Sequence, residues 1–385
     1  IIYCKSGISI DDYPSIKSHL SNHREKLEGT ATDEEWYELQ QPQEEYEELF
    51  NSQKIVYPDI AKHSRFAIDT HGDFVDATAF MIPSEDFYLI GLLNSTLLEA
   101  LFRIDSPSVR GDYHRYKNEY VKDLPVPQIN SDECIQFSNN DLQNKYGNIL
   151  RNTRNIKILP SFDGGSLSIK KLLAELSQEI SRDTQSRQNL NLNLLEYFGN
   201  YTEGSDLPDI GLFQPTESNI LDTTSEEYNN LRVGRVRTER NNTSVTVSAT
   251  ARYKPEDEEE FETDQWGYTE TSLHNAFVLS DLSEREAVLV EAFVPLAANK
   301  ADGFANFRES ATKTNSLVDR LKAMALPTPD DVADDLERYS KTKERADELD
   351  EKINRTDQLI DELVYDLYGL TDEEIEIIES AVQED

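Results

Sequence analysis

The 385-residue chain is 37% hydrophobic and 29% charged, with 75 Asp and Glu against 38 Lys and Arg and a formal net charge of −37. That is enough apolar material to bury a core and enough length for two or three domains. No apolar run reaches the roughly 18 residues of a membrane span; the opening IIYCKSGISIDD lacks a basic-then-apolar secretory signal; and Cys4 and Cys134, far apart, support neither a disulfide framework nor a zinc site. A cytoplasmic protein with no membrane partner is expected. The chain opens at Ile1 in sequence that reads like the middle of a domain, and is expected to be a piece of a longer protein.

In chain order, Tyr13 and Pro14 open a helical pattern through Leu27, with Ile16, Leu20 and Leu27 on one side and Pro14 in the first turn. An acidic stretch around Trp36 and Tyr37 follows. KIVYPDI and SRFAID read as strands, and His71 to Asp73 as a turn into the strand-like FVDATAFMI. DFYLIGLLNSTLLEALFRI carries Leu89, Leu92, Leu93, Leu97 and Leu101 at helical spacing, which predicts one largely buried helix. RGDYHRYKNEYVKDLPVPQI is polar, basic and aromatic, and its double proline marks a first boundary, giving a domain over 1–130.

The span 131–326 reads as a mixed α/β extension. A helical pattern runs from Ile169 to Leu195. Between 231 and 254, Val245, Val247, Ala249, Ala251 and Tyr253 alternate with polar residues, which is strand periodicity. Asn241 and Asn242 are expected at the hairpin tip. This is also the most basic patch of the chain, with Arg232, Arg235, Arg237, Arg240, Arg252 and Lys254 against Glu239; KPEDEEEFETDQ then reads as a solvated loop.

The region 327–385 is acidic and helical. Tyr339, Ala346, Leu349, Ile353, Ile360, Leu363 and Leu367 form a heptad seam interrupted at Thr342 and Thr356, so a coiled-coil-like helix with a partner helix along 332–367 is expected. Gly369 suits a helix C-cap, and Thr371 with Glu374 forms a capping box opening a last short helix. The fold class expected is α+β, a mixed strand and helix body followed by an extended helical C-terminal region.

The chain contains no Gly-rich phosphate loop, GxSxG, HExxH or Asn-Pro-Pro-aromatic tetrapeptide. Acids are too abundant for any carboxylate pair to signal acid–base chemistry. YPDIAK, with Asp59 and Lys62, has only part of a nuclease core, and His63, His71 and His114 are scattered. No catalytic residue and no metal ligand is therefore expected within this chain.

The ordered strings YPSIKSHL, WYEL, KIVYPDIAKHSRFAID, YLIGLLNSTLLEALFR and YVKDLPVP do carry a resemblance. Over about residues 10–130 the chain resembles the C-terminal specificity domain of TaqI-like adenine-N6 DNA methyltransferases, including the fused type IIG restriction-modification enzymes. INRTDQLIDELVYDLYGLTDEEIEIIE resembles the helical end of those proteins, while about 131–325 is matched only loosely. The resemblance implies a target-recognition module for double-stranded DNA, attached C-terminally to a methyltransferase domain that uses S-adenosylmethionine. A fused nuclease would add Mg2+.

Base readout needs Arg for guanine and Asn, Gln or His for other edges, flanked by phosphate contacts. Lys62, His63, Ser64 and Arg65 lie between two strands. Arg110, Tyr113, His114, Arg115, Tyr116, Lys117 and Asn118 fill the polar segment ahead of the proline boundary. Of these, Lys62, His63, Arg65, Arg110, Tyr113, His114, Arg115 and Lys117 are the candidate DNA contacts, joined by Arg235, Arg237 and Arg240 of the basic hairpin as phosphate contacts. The acid excess is dispersed through nearly every segment, which fits adaptation to high intracellular salt of a haloarchaeal kind better than an acidic tail. In about 1 M salt the screening length is about 3 Å, so this acidity does not exclude DNA. The alternative from another class is an acidic coiled-coil interaction scaffold that does not touch DNA.

Overall fold

The structure is a computed structural model that describes residues 2–28, 35–39, 46–76, 78–109, 112–129, 135–150, 167–199, 201–256, 261–300 and 312–383. The chain forms two compact units, one of Ile1–Gln188 with Glu348–Asp385 and the other of Asn189–Asp347. These cuts differ from the 130/131 and 326/327 boundaries expected from composition. The reason is packing: the helix ending at Gln188 and the C-terminal turns from Leu359 onward contribute to one buried cluster with the N-terminal elements. The class is α+β, with a long C-terminal helix.

In the first unit, α1 (Pro14–Ser21) stops at Asn22, and a separate turn of helix covers Arg24–Glu28, so the single helix expected through Leu27 is two pieces. Neither buries a residue fully, so no packing enforces continuity past Asn22, a residue whose amide favours local backbone bonds. Strands β1 (Lys54–Pro58), β2 (Ile60–Ala61), β3 (Ala67–Asp69) and β4 (Ala79–Ile82) follow. β1 is the antiparallel centre of a sheet ordered β3-β1-β4.

The leucine-rich run forms two helices, α2 (Phe87–Leu93) and α3 (Thr96–Asp105), bent by 60° rather than one. Two polar side chains at the break decide this against the leucine periodicity. Asn94 Nδ2 donates to the Phe66 carbonyl and Asn94 Oδ1 accepts from the Phe66 N–H, each at 2.8 Å. Ser95 then accepts from Leu98 N as the N-cap of α3. No single helix among the described residues is long and apolar enough to cross a membrane. Strands β5 (Ser108–Val109) and β6 (Tyr113–Arg115) join β2 in a second small sheet, ordered β2-β6-β5. α4 (Ile169–Gln188) lies on α2. A Cβ on Gly91 would meet Ser177 Oγ at 2.4 Å and displace that hydroxyl from its bond to the Leu173 carbonyl.

The second unit is built on an antiparallel sheet of β7 (Leu212–Pro215), β8 (Arg232–Asn241), β9 (Ser244–Tyr253), β10 (Thr269–Glu270) and β11 (His274–Ser280). Its order is β7-β11-β9-β8, with β10 paired to the end of β9. The hairpin predicted at 231–254 is present, with its turn at Asn242 and Thr243, one residue later than expected. Asn241 is still paired with Ser244, and Asn242 supplies the left-handed residue at φ +54°. Val245, Val247, Ala249 and Ala251 are all fully buried in the core that includes Val290, Phe293 and Val294 of α5 (Glu284–Asn299). Ser283 and Glu286 close a capping box at the start of α5. α6 (Leu317–Lys322) adds Leu317 and Leu321 to the same core.

α7 (Ala333–Tyr368) begins in the second unit and ends in the first. The seam expected to seat a partner helix packs within the chain. Tyr339 lies against the second unit's core, while Ile360 and Leu363 belong to the first unit's core. Thr356 is tolerated in the seam because its Oγ1 donates back to the Lys352 carbonyl at 2.8 Å. Gly369 ends α7 at φ +68°, with Leu370 N–H donating to the Tyr365 carbonyl. Thr371 and Glu374 exchange the two bonds of a capping box ahead of α8 (Asp372–Gln383).

Candidate nucleic-acid interface

The small β2-β6-β5 sheet positions most of the candidate residues. Its register pairs Ile60 with Arg115, Ala61 with His114 and Val109 with Tyr113. Opposed residues of an antiparallel pair share a face. Ile60, Val109, Tyr113 and Arg115 therefore lie on one face, and Ala61 and His114 on the other. Ile60 and Tyr113 are exposed, whereas Ala61 is buried, which makes the first face the outward one. Lys62, two residues beyond Ile60, continues it. Its ammonium lies 3.7 Å from Asp112 Oδ2 and over the Tyr113 ring at 5.8 Å. Two clusters about fifty residues apart in sequence thus meet on one small surface.

The cations of this face have carboxylates nearby, beyond hydrogen-bond distance. Arg115 Nε lies 3.7 Å from Asp59 Oδ2, and Lys117 Nζ lies 3.9 Å from Glu119. Arg65 is exposed and has no ion pair among the described residues. His114 faces inward, edge-on to Phe102, with a buried Nδ1 that has no hydrogen-bond partner among the described residues. The alternation along β6 therefore separates it from Tyr113 and Arg115. Arg110 lies outside the described residues.

The loop Lys62–Arg65 is held by a group that sequence reasoning missed. Glu99 on α3 is only 6% exposed. Its Oε1 lies 2.9 Å from His63 Nδ1 and accepts from Arg103 Nη2 at 2.8 Å, while its Oε2 accepts from Ser64 N–H at 2.9 Å. Arg103 Nη2 also donates to the Lys62 carbonyl at 3.1 Å. One buried carboxylate thus orients an imidazole and ties down a backbone N–H, with a guanidinium offsetting its burial. With Nδ1 engaged, Nε2 is the ring nitrogen His63 can offer to a ligand. Under the same loop, Tyr116 is 1% exposed and stacks on Phe102 at 4.1 Å; burial pushes its phenol up to about 12. The signal for the clamp was present as Glu99 and Arg103, an i,i+4 acid–base pair inside an otherwise apolar run.

This surface lies inside a recognisable span. Residues 11–126 match the family model of the TaqI-like C-terminal specificity domain. The specificity-domain region so delimited holds the outward β2-β6-β5 face, the Lys62–Arg65 loop and the Glu99–Arg103 clamp.

Two further features of the specificity-domain region bear on its rigidity. Lys54 is fully buried; its ammonium pairs with Asp69 and donates to the Phe50 carbonyl at 2.8 Å. Asp69 also accepts the N–H groups of His71 and Asp73, each at 2.8 Å, fixing the turn expected at 71–73. Burial opposes ionisation of Asp69, but the bonds from Lys54, His71 and Asp73 outweigh it and hold the carboxyl below its ordinary range. Asp69, His71 and Asp73 cluster as cation ligands do, and the Lys54 ammonium is the cation already paired there. Beside the Lys62–Arg65 loop, a cavity of about 570 Å³ is lined by Arg65, Asn94, Gln188 and Asp357 among others. Asp357 is an exposed residue of this lining, and desolvation of its carboxyl, with the nearby Glu99 carboxylate, pushes it up to about 6.

The three arginines picked from the basic hairpin do not act as one group. Along β8, Val236, Thr238 and Arg240 alternate toward α5, where Thr238 Oγ1 donates to the Glu291 carbonyl and Arg240 Nε bonds Glu291 Oε2 at 3.0 Å. Arg240 therefore belongs to the sheet–helix contact. Arg235 and Arg237 lie on the other face; Arg235 Nε pairs with Glu270 at 3.0 Å, and Arg237 has no ion pair among the described residues.

Proposed function

We propose that this chain supplies DNA sequence recognition to a restriction-modification adenine-N6 DNA methyltransferase of the TaqI-like, type IIG kind. The observation that carries the reading is the convergence of Lys62, Tyr113 and Arg115 on one outward face beside the clamped His63, within the span that matches a specificity domain. In this reading Arg65, Arg110, Arg115 and His63 meet base edges, and Lys62 and Lys117 meet phosphates. Methyl transfer belongs to a catalytic domain outside this chain, which binds S-adenosylmethionine; a fused nuclease would bring Mg2+. The chain itself is non-catalytic.

The test is site selection from random duplexes by the full-length enzyme in high KCl, where non-specific electrostatic affinity is suppressed. Arg115→Ala or Arg110→Ala is expected to cost about 1–3 kcal/mol at the preferred site and to relax one position. Lys62→Ala and Lys117→Ala are expected to weaken all sequences about equally. If site preference survives the combined change of Arg65, Arg110 and Arg115 to Ala, the reading face is wrong. A full-length protein with no sequence preference would return the acidic scaffold as the better reading. The dispersed −37 charge supports a halophilic setting. Dilution from molar to about 0.1 M KCl is then expected to destabilise the chain in circular dichroism, as screening weakens.

A further inference from the structure

The second unit carries a surface that the reading above leaves unused. The antiparallel sheet buries one face against α5. Strand alternation, with a register shift between Val233 and Val236, brings Arg232, Arg235 and Arg237 of β8 and Arg252 of β9 to the other, joined by Lys254 just past the end of β9. Arg232 sits directly opposite Arg252, and Arg237 opposite Ser248. Three of these cations converge on the Tyr268 ring: Arg232 Cζ at 4.9 Å from its centre, Arg252 Cζ at 5.2 Å and Lys254 Nζ at 5.2 Å. Asp264 pairs with Arg252 and accepts the N–H groups of Trp266 at 2.9 Å and Tyr268 at 3.0 Å, which fixes the loop bearing both aromatics. Trp266 stands 64% exposed beside this cluster.

The arrangement is costly unless an anion completes it. The chain holds 75 acids to 38 bases, yet Arg232, Arg237 and Lys254 have no ion pair among the described residues, and Arg232 and Lys254 share the Tyr268 ring with Arg252. Charge that protects an edge strand from pairing would explain Arg237 on β8, but not Arg252 on the central β9 or Lys254 just past its end, nor the exposed indole. Cations spread over an open sheet face, with aromatic rings among them, suit a polyanion whose charges repeat along its length.

We propose that this open sheet face is a sequence-independent binding surface for the phosphate backbone of duplex DNA. The proposal rests on the reading of the chain as a DNA-binding module, and adds a second contact surface carried by a different unit. Arg232, Arg237 and Lys254 take phosphates, Tyr268 holds the cations in place, and Arg240, on the opposite face, takes no part.

The experiment measures affinity of the whole 385-residue chain for a random-sequence duplex as a function of KCl, against single-stranded DNA of the same length and against polyglutamate. The triple variant Arg232→Ala, Arg237→Ala, Lys254→Ala is expected to reduce the slope of log K against log[KCl] by about 2–3, at about 0.9 per lost phosphate contact. The charge-keeping variant Arg232→Lys, Arg237→Lys, Lys254→Arg keeps the slope, and unfolding midpoints show whether either variant is damaged. Arg240→Ala leaves the slope unchanged. A triple variant that binds duplex like the parent, while Lys62→Ala with Lys117→Ala still weakens binding, overturns the proposal and leaves the reading intact. Absence of DNA binding by parent and variants alike overturns both. Equal competition by polyglutamate, or an effect confined to single strands, overturns the assignment to duplex backbone.

Discussion

The outward face in the first unit and the open sheet face in the second are both basic surfaces on an acidic chain, yet they are built oppositely. In the first, a sheet of two- and three-residue strands leads into a loop whose His63 and Ser64 are hydrogen-bonded to the buried Glu99, while Lys62 and Arg115 each have a carboxylate 3.7 Å away. In the second, ten-residue strands β8 and β9, with a register shift between Val233 and Val236, spread cations over one face; Arg235 and Arg252 pair with Glu270 and Asp264, and Arg232 and Arg237 have no ion pair among the described residues. A side chain that must meet one base edge needs its direction fixed, and a carboxylate that fixes it also reduces the net attraction for phosphate. A side chain that meets phosphates needs only net charge. On the proposed function, the contrast separates a reading surface from a holding one.

If direction in the first unit comes from buried polar anchors, removing an anchor should do more damage than anything on the second unit's face. Lys54→Met leaves Asp69 buried without its cation, and is expected to cost about 3–5 kcal/mol. Urea unfolding followed by hydrogen exchange would localise the loss to the first unit. The same pair gives an acid limb. Because the Asp69 pKa is lowered in the fold, its contribution is present above the unfolded value near 3.8 and is lost as pH falls below it. Asp69→Asn should remove that limb. A Lys54→Met protein as stable as the parent would show that the reading face rests on packing alone.

The next effect concerns direction itself. Glu99→Gln keeps one oxygen for the Ser64 N–H but presents an NH2 to Arg103 and His63, which loosens the loop without replacing any of the residues proposed to meet DNA. A loss of about 1–3 kcal/mol in discrimination between target and scrambled duplex is expected, with non-specific salt dependence unchanged. If both affinities fall together, Glu99 is a folding anchor rather than a positioning residue.

Local patterns made much of this legible. The 231–254 hairpin, the Gly369 cap and the Thr371–Glu374 box were readable because their partners lie within a few residues. What escaped depended on distant partners. Asn94 breaks the leucine helix through Phe66, 28 residues away. The seam of α7 looked like a partner-seeking heptad because the residues that cover it come from the same chain far upstream. Thr96, for one, bonds Asp361 across 265 residues. The basic hairpin could be counted from sequence, but which arginine faced α5 could not, since the identity of the layer covering the sheet is a tertiary fact. Arg110 lies outside the described residues, so its part in the reading face rests on sequence alone.

A smaller effect sharpens the comparison within the second unit. Arg240→Ala removes a partly exposed bond to Glu291 and is expected to cost up to about 1 kcal/mol of stability, with DNA binding unchanged. Arg237→Ala, with no ion pair to lose among the described residues, is expected to leave stability within about 0.5 kcal/mol of the parent and to lower the salt slope by about 0.9. The two arginines are three residues apart on one strand, so only their facing distinguishes them. A reversed pattern would mean that the open face is not the one that meets DNA.

The smallest expected effect lies beside the reading loop. Asp357 shares its cavity with Arg65, and desolvation with the nearby Glu99 carboxylate raises its pKa to about 6. Because the folded value lies above the unfolded value near 3.8, the folded state favours the protonated carboxyl. That preference is complete below about pH 3.8 and is lost as pH rises through 6. Asp357→Asn, which cannot ionise, should therefore be more stable than the parent at pH 7 and no more stable at pH 4 or below. Thermal unfolding of both proteins across that range at fixed KCl measures the difference. If the gain at pH 7 appears together with a change in target preference, the ionised Asp357 also acts on Arg65 across the cavity. A gain with preference unchanged would confine its role to the cavity wall, and identical pH profiles would show that Asp357 is solvated like any surface carboxylate.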